Sequence, residues 1–276
     1  MSVEITTLVE NSQGEHTGLQ IEHGLSFLIE TDQAKILFDT GRSEAFIHNA
    51  EKLNKDLHTV SHVVLSHGHY DHSGGFRSFV NLEGRDAFTL YTGAGFFVPK
   101  YARFNASYQY LGNDFDEQFL LEKGIENHTV SKKELIAPSV WVITDFIRPH
   151  REETIHPRFV LKDGEGWQPD LFTDEVSVVV ETEKGLVVIV GCSHPGILNM
   201  LDTVNGLFDE KIYAVLGGTH LVEADHARTV ATMRAFAERK IEVLGISHCS
   251  GPEAIALAIE NSSIHFHNKT GSSLIL

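Results

Sequence analysis

The chain has 276 residues, of which 42% are hydrophobic and 22% charged, a composition that excludes disordered and collagen-like classes. Its formal net charge of −16 makes nucleic acid an unfavourable partner, because phosphate backbones repel an acidic surface. It has two cysteines, no recognisable export signal and no apolar run near the ~20 residues of a membrane span, so we expect a cytoplasmic protein without membrane contact.

The first third of the chain is predicted to consist mainly of strands, because it is rich in short β-branched and apolar runs. Two of these runs flank a Thr-Asp-Gln turn, which favours a hairpin. The predicted elements are strands at 3–9, 24–30 and 34–39, a helix at 43–53, a buried strand at 60–66, a helix from about Ser73, and a strand at 87–91.

Periodicity is weak between residues 96 and 170, where only a strand at 140–144 is clear. We interpret this segment as an insertion on a single domain spanning 1–276. Its aromatic and basic side chains suit an anionic, aromatic small-molecule substrate. Alternatively, the arginines pair with Glu152, Glu153 and other neighbours while the aromatics form a small core. The side chains concerned are Tyr101, Phe104, Tyr108, Tyr110, Arg148, Arg151 and Arg158.

The last hundred residues are again regular, with strands and helices alternating. Together with the first third, this pattern predicts an α/β (α+β) fold in which two sheets pack together with helices outside. The predicted elements are strands at 176–182, 186–190, 212–216, 241–247 and 272–276, and helices at 197–204, 223–240 and from Pro252.

The sequence HGHYDH at 67–72 is the sharpest chemical signal, because it places three histidines and an aspartate directly after a buried strand. Imidazole and carboxylate are ligands that suit zinc, iron or manganese. In a loop, His67 and His69 can point one way while Asp71 and His72 point another. The motif therefore predicts two metals rather than one.

Together with LFDTG at 37–41, this motif resembles the metallo-β-lactamase-fold superfamily. GCSHPG at 191–196, GGTHL at 217–221 and SHCSG at 247–251 are similar to the subfamily that includes the archaeal dihydropterin-phosphate synthase of methanopterin biosynthesis. The resemblance implies a four-layer αββα sandwich with a metal site at one edge of its two sheets.

The same resemblance implies two sets of metal ligands. The first metal would be held by His67, His69 and His194, and the second by Asp71, His72 and His248. Cys192 stands where the superfamily usually has a bridging aspartate, so it is either an additional thiolate ligand or a small buried residue. Asp174 or Glu175 could supply the missing oxygen ligand, or both could be solvated turn residues.

Further site residues are predicted, Asp39 from the resemblance and His220 from its place after a strand and two glycines, although a lone histidine there could also be structural. Asp39 would orient ligand histidines from beneath the site, or else cap a turn. Asp71 and His220 are the predicted catalytic residues, with His220 binding substrate or acting in acid–base catalysis. His23 has a weaker claim of the same kind. His265 and His267 are predicted to lie on the surface.

These residues predict a hydrolase with two divalent ions, preferably zinc, with iron or manganese as alternatives. Paired ions lower the pKa of a shared water toward ~7 and polarise the oxygen under attack, which suits an ester, amide or phosphoester of an anionic small molecule. The alternative is a pterin-type transferase that displaces diphosphate. A non-hydrolytic metal-binding protein ranks below both. The sequence leaves the oligomeric state open.

Overall fold

The computed structural model describes residues 2–261 and 265–276, and every strand predicted outside 96–170 is found within about two residues of its expected bounds. In chain order the strands are β1 (Val3–Val9), β2 (Ser26–Thr31), β3 (Lys35–Phe38), β4 (His62–Val64), β5 (Thr89–Thr92), β6 (Lys100–Phe104), β7 (Ser107–Tyr110), β8 (Glu126–Thr129), β9 (Lys133–Ala137), β10 (Val140–Ile143), β11 (Phe159–Asp163), β12 (Gly166–Pro169), β13 (Ser177–Thr182), β14 (Gly185–Val190), β15 (Ile212–Gly218), β16 (Val243–Ser247) and β17 (Ser273–Ile275). The helices are α1 (Ala45–Lys52), α2 (Tyr70–Ser73), α3 (Phe76–Val80), α4 (Glu117–Lys123), α5 (Ile197–Leu207), α6 (His226–Glu238) and α7 (Gly251–Asn261).

Two large sheets pack face to face. The first has the strand order β17-β1-β2-β3-β4-β5-β8, and the second has the order β16-β15-β14-β13-β10-β9. Apolar side chains from both sheets, including Phe27, Phe38, Val178 and Ile189, form the core between them. Helices α1, α3 and α4 cover the outer face of the first sheet, whereas α5, α6 and α7 cover that of the second. This confirms the predicted αββα sandwich.

Strand β14 illustrates why the buried strands lose the usual alternation of polar and apolar residues. Val187 and Ile189 face the core between the sheets, whereas Leu186, Val188 and Val190 face the helices. A strand covered on both sides is apolar at every position. Within the described ranges, no helix is long and apolar enough to cross a membrane.

Two predictions of local structure were wrong. The helix expected from about Ser73 begins at Tyr70, so Asp71 and His72 lie in the turn of a short helix rather than in a loop. The segment 96–170 also holds more regular structure than a single strand. It supplies β8 to the first sheet and β9 and β10 to the second, while β6, β7, β11 and β12 form a separate four-stranded sheet. These strands are short and partly exposed, so their sequences lack a clear period.

The topology brings the ends of five strands to one rim of the sandwich. Strand β3 runs parallel to β4, and β14, β15 and β16 run parallel to one another. The carboxyl ends of parallel strands meet at one edge of a sheet, and side chains that follow them converge there. The residues that follow these ends are Asp39, His67, Cys192, His194, His220 and His248.

Candidate metal centre

The histidines predicted to bind the first metal lie together at this rim. His67 Nε2 is 3.1 Å from His69 Nδ1, and the ring centroids of His67 and His69 lie 4.9 and 5.2 Å from that of His194. All three side chains are buried. Phe172 stacks on His194 with a centroid distance of 3.7 Å and helps to fix the orientation of that ring.

The second predicted group is adjacent to the first. Asp71 Oδ2 lies 3.4 Å from His248 Nε2 and 3.9 Å from His72 Nε2. His23, to which the sequence gave a weaker claim, is also there, because its Nε2 is 3.2 Å from Asp71 Oδ2 and its ring stacks on His248. Asn11 holds the other side of His248, since its Oδ1 is 2.9 Å from His248 Nδ1.

Cys192 lies between the two groups. Its thiol, with His67 and His194, forms one set of donor atoms that lie within 4.8 Å of one another. The same thiol forms a second such set with His72 and His248, and its Sγ is 3.2 Å from His72 Nε2. A sulfur shared by two donor sets has the position required of a bridging ligand.

Asp39 lies beneath the site and fixes His72. The carboxylate accepts hydrogen bonds from the Ser66 amide at 2.7 Å and from the Ser66 hydroxyl at 2.8 Å, and its Oδ2 is 2.6 Å from His72 Nδ1. With Nδ1 engaged in this way, His72 turns Nε2 toward Cys192. The position suits the orienting role that the resemblance implies.

Asp174 and Glu175 are neither solvated nor directed at the donor groups. Both are buried and bind main-chain amides of the loops that carry the histidines. Asp174 Oδ2 accepts a hydrogen bond from the Gly68 amide at 2.8 Å. Glu175 accepts hydrogen bonds from the Ser193 and His194 amides at 2.6 and 3.1 Å. The expectation that one of them replaces the missing oxygen ligand was therefore wrong, because their oxygens are already engaged.

Two further buried groups complete this framework and were missed in the sequence. Glu10 accepts a hydrogen bond from the main-chain amide of His248 at 2.8 Å. Lys100 is 2% exposed, and its Nζ pairs with Asp174 at 3.0 Å and with Asp170 at 3.2 Å. A lone lysine in a weakly periodic stretch and an acid after an N-terminal strand carry no local signal of these contacts.

Several rim residues have left-handed backbone conformations. Asp39, Ser193, His220 and His248 have φ angles of 59°, 60°, 48° and 54°. Such angles are uncommon outside glycine and cost of the order of 1–3 kcal/mol each. Their concentration where strands end is typical of a functional site, in which the rest of the fold holds the backbone in place.

Burial and neighbouring charges set the ionisation of the site. Burial holds the pKa of His67, His69 and His194 well below the ordinary value and lowers that of His248 to about 4. Burial opposes a charge on His72 as well, but Asp39 and Asp71 outweigh it and raise the pKa of His72 to about 9.

The acidic groups of the site are shifted by the same forces. Burial raises the pKa of the Cys192 thiol well above its usual value. It also favours the neutral form of Asp71, but His72, His23 and His248 hold that pKa well below its usual range. For Glu175, burial and the nearby Asp174 raise the pKa to about 8.

The donor groups fit a metal centre. The Nε2 atoms of His69, His194 and His248 are buried and make no well-aligned hydrogen bond among the described residues, although His248 Nε2 lies 3.4 Å from Asp71 Oδ2. A buried polar atom without such a bond costs about 1–3 kcal/mol, so three of them in one cluster require an explanation. Neutral imidazole nitrogens, a carboxylate and a thiol are suitable ligands for a transition metal such as zinc.

A cavity of about 390 Å³ opens beside these groups and is lined by His69, Asp71, Cys192, His194, His220 and His248. The ring centroids of His220 and His194 are 4.2 Å apart. Burial, with the nearby Arg158, lowers the pKa of His220 to about 3. Phe104, Arg158 and Phe159 also line this cavity, so part of the predicted insertion does reach the site.

The other aromatic residues predicted to contact substrate do not line this cavity. Tyr108 stacks on Trp167 at 3.7 Å, and Tyr101 packs against Tyr110 and Trp167 within the four-stranded sheet. Their prediction as ring-binding side chains at this site was wrong. His265 is half-buried and His267 is exposed, and neither lies at the rim.

A model of the metallo-beta-lactamase superfamily matches residues 20–248, which include every predicted metal ligand. The chain belongs to this superfamily. Among its relatives, a Methanocaldococcus jannaschii protein named 7,8-dihydropterin-6-methyl-4-(beta-D-ribofuranosyl)-aminobenzene-5'-phosphate synthase is 29% identical, and the match covers 99% of this chain and 96% of that protein. An uncharacterized protein of the same organism is 27% identical, with 89% and 91% covered.

Solved structures give the same result. The crystal structure of Tm1679, a metal-dependent hydrolase of the beta-lactamase superfamily, matches with a TM-score of 0.85 and 29% identity. The match covers 99% of this chain and 98% of that one. The predicted membership of the metallo-beta-lactamase superfamily is confirmed.

Proposed function

We propose that the protein is a dinuclear metal-dependent hydrolase that acts on an ester, amide or phosphoester of an anionic small molecule. The observation that carries this proposal is the pair of donor sets that meet at Cys192, together with the buried Nε2 atoms of His69, His194 and His248, which make no well-aligned hydrogen bond among the described residues. Because each group of donor atoms has its own two histidines and they have only the Cys192 sulfur in common, they suit two ions better than one. Divalent ions, zinc foremost, supply Lewis acidity and an activated water when bound in such a site.

The residues have separate tasks in this proposal. His67, His69 and His194 would hold one ion, and Asp71, His72 and His248 the other. The donor atoms that lie close together are those of His67 and His194 with Cys192, of His72 and His248 with Cys192, and of Asp71 and His248 with His23. Asp39 keeps the proton of His72 on Nδ1, so that Nε2 is free to bind.

His220 lines the cavity next to His194. Its low pKa favours the neutral imidazole, which suits a hydrogen bond to the substrate better than the transfer of a proton. Asp71 lies at the same cavity with its carboxylate ionised, and it contributes to catalysis by holding the second ion in place.

Elemental analysis and a substrate screen test the proposal. Protein purified without chelator should contain up to two ions per chain and hydrolyse a member of a panel of phosphodiesters, lactones and pterin diphosphates. His69→Ala should lose metal and activity together. His58→Ala is the matched control, because His58 is half-exposed, pairs with nearby Asp56 and belongs to none of the described groups of donor atoms. A folded, metal-free protein, or full activity in His69→Ala, would contradict the proposal.

A second candidate is transfer instead of hydrolysis. It is supported by the 29% identity to the methanopterin synthase over 99% of the chain. In this reaction the bond between a pterin-methyl carbon and its diphosphate breaks, and the carbon joins an aminobenzene phosphate, which loses a proton. Diphosphate release measured with and without the aminobenzene compound separates the two reactions. Diphosphate release that requires the aminobenzene compound supports transfer, and release from the pterin diphosphate alone supports hydrolysis.

A further inference from the structure

A second cavity of about 570 Å³ is lined by residues 154–157 and shares Phe159 with the metal cavity. Arg103, Arg148 and Arg151 line it together with apolar side chains that include Trp167 and Leu171. Its volume is in the range that holds small organic ligands, about 300–1,000 Å³. Its lining has three arginines against two acids, Glu153 and Asp170, in a chain whose net charge is −16.

The three arginines lack a close carboxylate partner, although the charges of Glu175 and Asp170 act on Arg148 from a distance. None of them forms an ion pair with a carboxylate among the described side chains. The nearby acids are engaged elsewhere: Glu153 accepts from the amides of Leu198 and Asn199. Asp170 pairs with Lys100, and Glu152 pairs with His150. The alternative that these arginines serve only to pair with Glu152 and Glu153 is therefore not supported by the contacts.

The walls of the cavity suit a flat ring beside the charge. Trp167 is fixed by its stacked contact with Tyr108, with ring centroids 3.7 Å apart. Arg148 donates to the main-chain carbonyl of Leu171, which holds one side of its guanidinium and leaves other N–H groups free. A planar guanidinium binds phosphate or carboxylate through two parallel hydrogen bonds.

A third, smaller cavity has lining residues in common with each of the two large ones. This cavity of about 90 Å³ is lined by residues 154–157, which it shares with the second cavity, and by His194 and His220, which it shares with the metal cavity. Phe159 lines both large cavities and packs on the rings of His69 and His194. A ligand in the second cavity would therefore lie close to the metal centre without touching it.

We propose that the second cavity binds the anionic, aromatic end of the substrate, with Arg103, Arg148 and Arg151 as its positioning residues. The inference rests on the proposed function only in placing the reacting bond at the metal centre. The guanidinium groups would bind a phosphate or carboxylate of the substrate, and Trp167 would pack against its ring.

Calorimetric titration of the metal-loaded protein with phenylphosphonate, a ring that carries a non-hydrolysable phosphate analogue, tests the proposal. Arg148→Gln and Arg151→Gln should each weaken binding about 10-fold, the loss of one charge-assisted hydrogen bond, and the double variant more. Arg234→Gln is the matched control, because Arg234 is an exposed arginine on α6 outside the cavity. Trp167→Leu should weaken phenylphosphonate more than methylphosphonate, which has no ring.

Removal of the metal distinguishes this site from the metal centre. Phenylphosphonate affinity that survives chelation and falls in the arginine variants supports the second cavity, even if no hydrolytic activity is ever found. The opposite result is that phenylphosphonate binding is lost on chelation but is unchanged in the Arg148→Gln/Arg151→Gln double variant. It would show that the anion binds to the metals, and it would overturn the inference while leaving the proposed hydrolase intact. No binding to the wild type would overturn it as well. Melting temperature and metal content confirm that each variant is folded.

Discussion

Replacing Asp39 by Asn tests how the fold controls the proton on His72. Asp39 is fully buried, and its carboxylate accepts from the Ser66 amide and hydroxyl and from His72 Nδ1. Asn has the same shape and tolerates the left-handed φ of 59°, so the backbone should stay in place. However, an amide has only one oxygen, and it can accept on only one side.

The main-chain amide of Ser66 can only donate a hydrogen bond, so the side-chain oxygen of the asparagine should face it. The NH₂ group then faces His72 Nδ1, which must accept, and this moves the histidine proton to Nε2. A protonated Nε2 cannot bind a metal. We therefore expect Asp39→Asn to weaken metal binding at the second group about 10- to 100-fold, which corresponds to ~1.4–2.8 kcal/mol.

The assay is a zinc titration in competition with a chromophoric chelator, with the melting temperature followed in parallel. Ser26→Ala is the control, because Ser26 donates to the main-chain carbonyl of Asp39 at 2.8 Å and leaves the carboxylate untouched. It should lower stability by about 1 kcal/mol without changing zinc affinity. Unchanged zinc affinity in Asp39→Asn with a large loss of stability would refute the orienting role and leave Asp39 as a turn cap.

Three further results are expected. His69→Ala and His248→Ala should each reduce the metal content toward one ion per chain, as measured by mass spectrometry, and an unchanged content would contradict the assignment of either ligand. Lys100→Met should lower the free energy of unfolding in urea by about 3–5 kcal/mol, because it leaves buried carboxylates unpaired, and a loss under 1 kcal/mol would count against this. Burial opposes a charge on His150, but Asp202 and Glu152 outweigh it and raise the pKa of His150 above 6.5. The stability that this histidine adds should be complete below pH ~6.5 and be lost as the pH rises through the raised value. The difference in melting temperature between wild type and His150→Gln should therefore shrink with rising pH, and a constant difference would refute it.

Much of the fold could be predicted from local pattern, and the donor set from one motif together with the resemblance to the superfamily. Strands such as 186–190 are continuous apolar runs, and HGHYDH gathers four donor groups in one short segment. His194, His220 and His248 follow strands, so the parallel topology brings them to the same rim.

The supporting framework could not be predicted, because its contacts join distant parts of the chain. Glu10 reaches the His248 amide across 238 positions, and Lys100 reaches Asp174 across 74. A sequence gives no local trace of such pairs. The four-stranded sheet was missed for another reason: strands such as β7 are exposed throughout, so no apolar alternation marks them.

The buried carboxylates beneath the rim act on main-chain amides, and this has a consequence for how the site can evolve. Every residue except proline offers an amide, so Glu175 can hold the backbone of residue 194 with another side chain in that place. Gly68 has no room for a side chain, and the left-handed backbone of His248 limits what can replace it. A donor at position 194 can thus be exchanged for another without rebuilding the frame that aims it. In the proposed metal centre Cys192 stands between both donor sets, and the hydrogen bonds by which Glu175 holds the next two amides do not depend on its thiol.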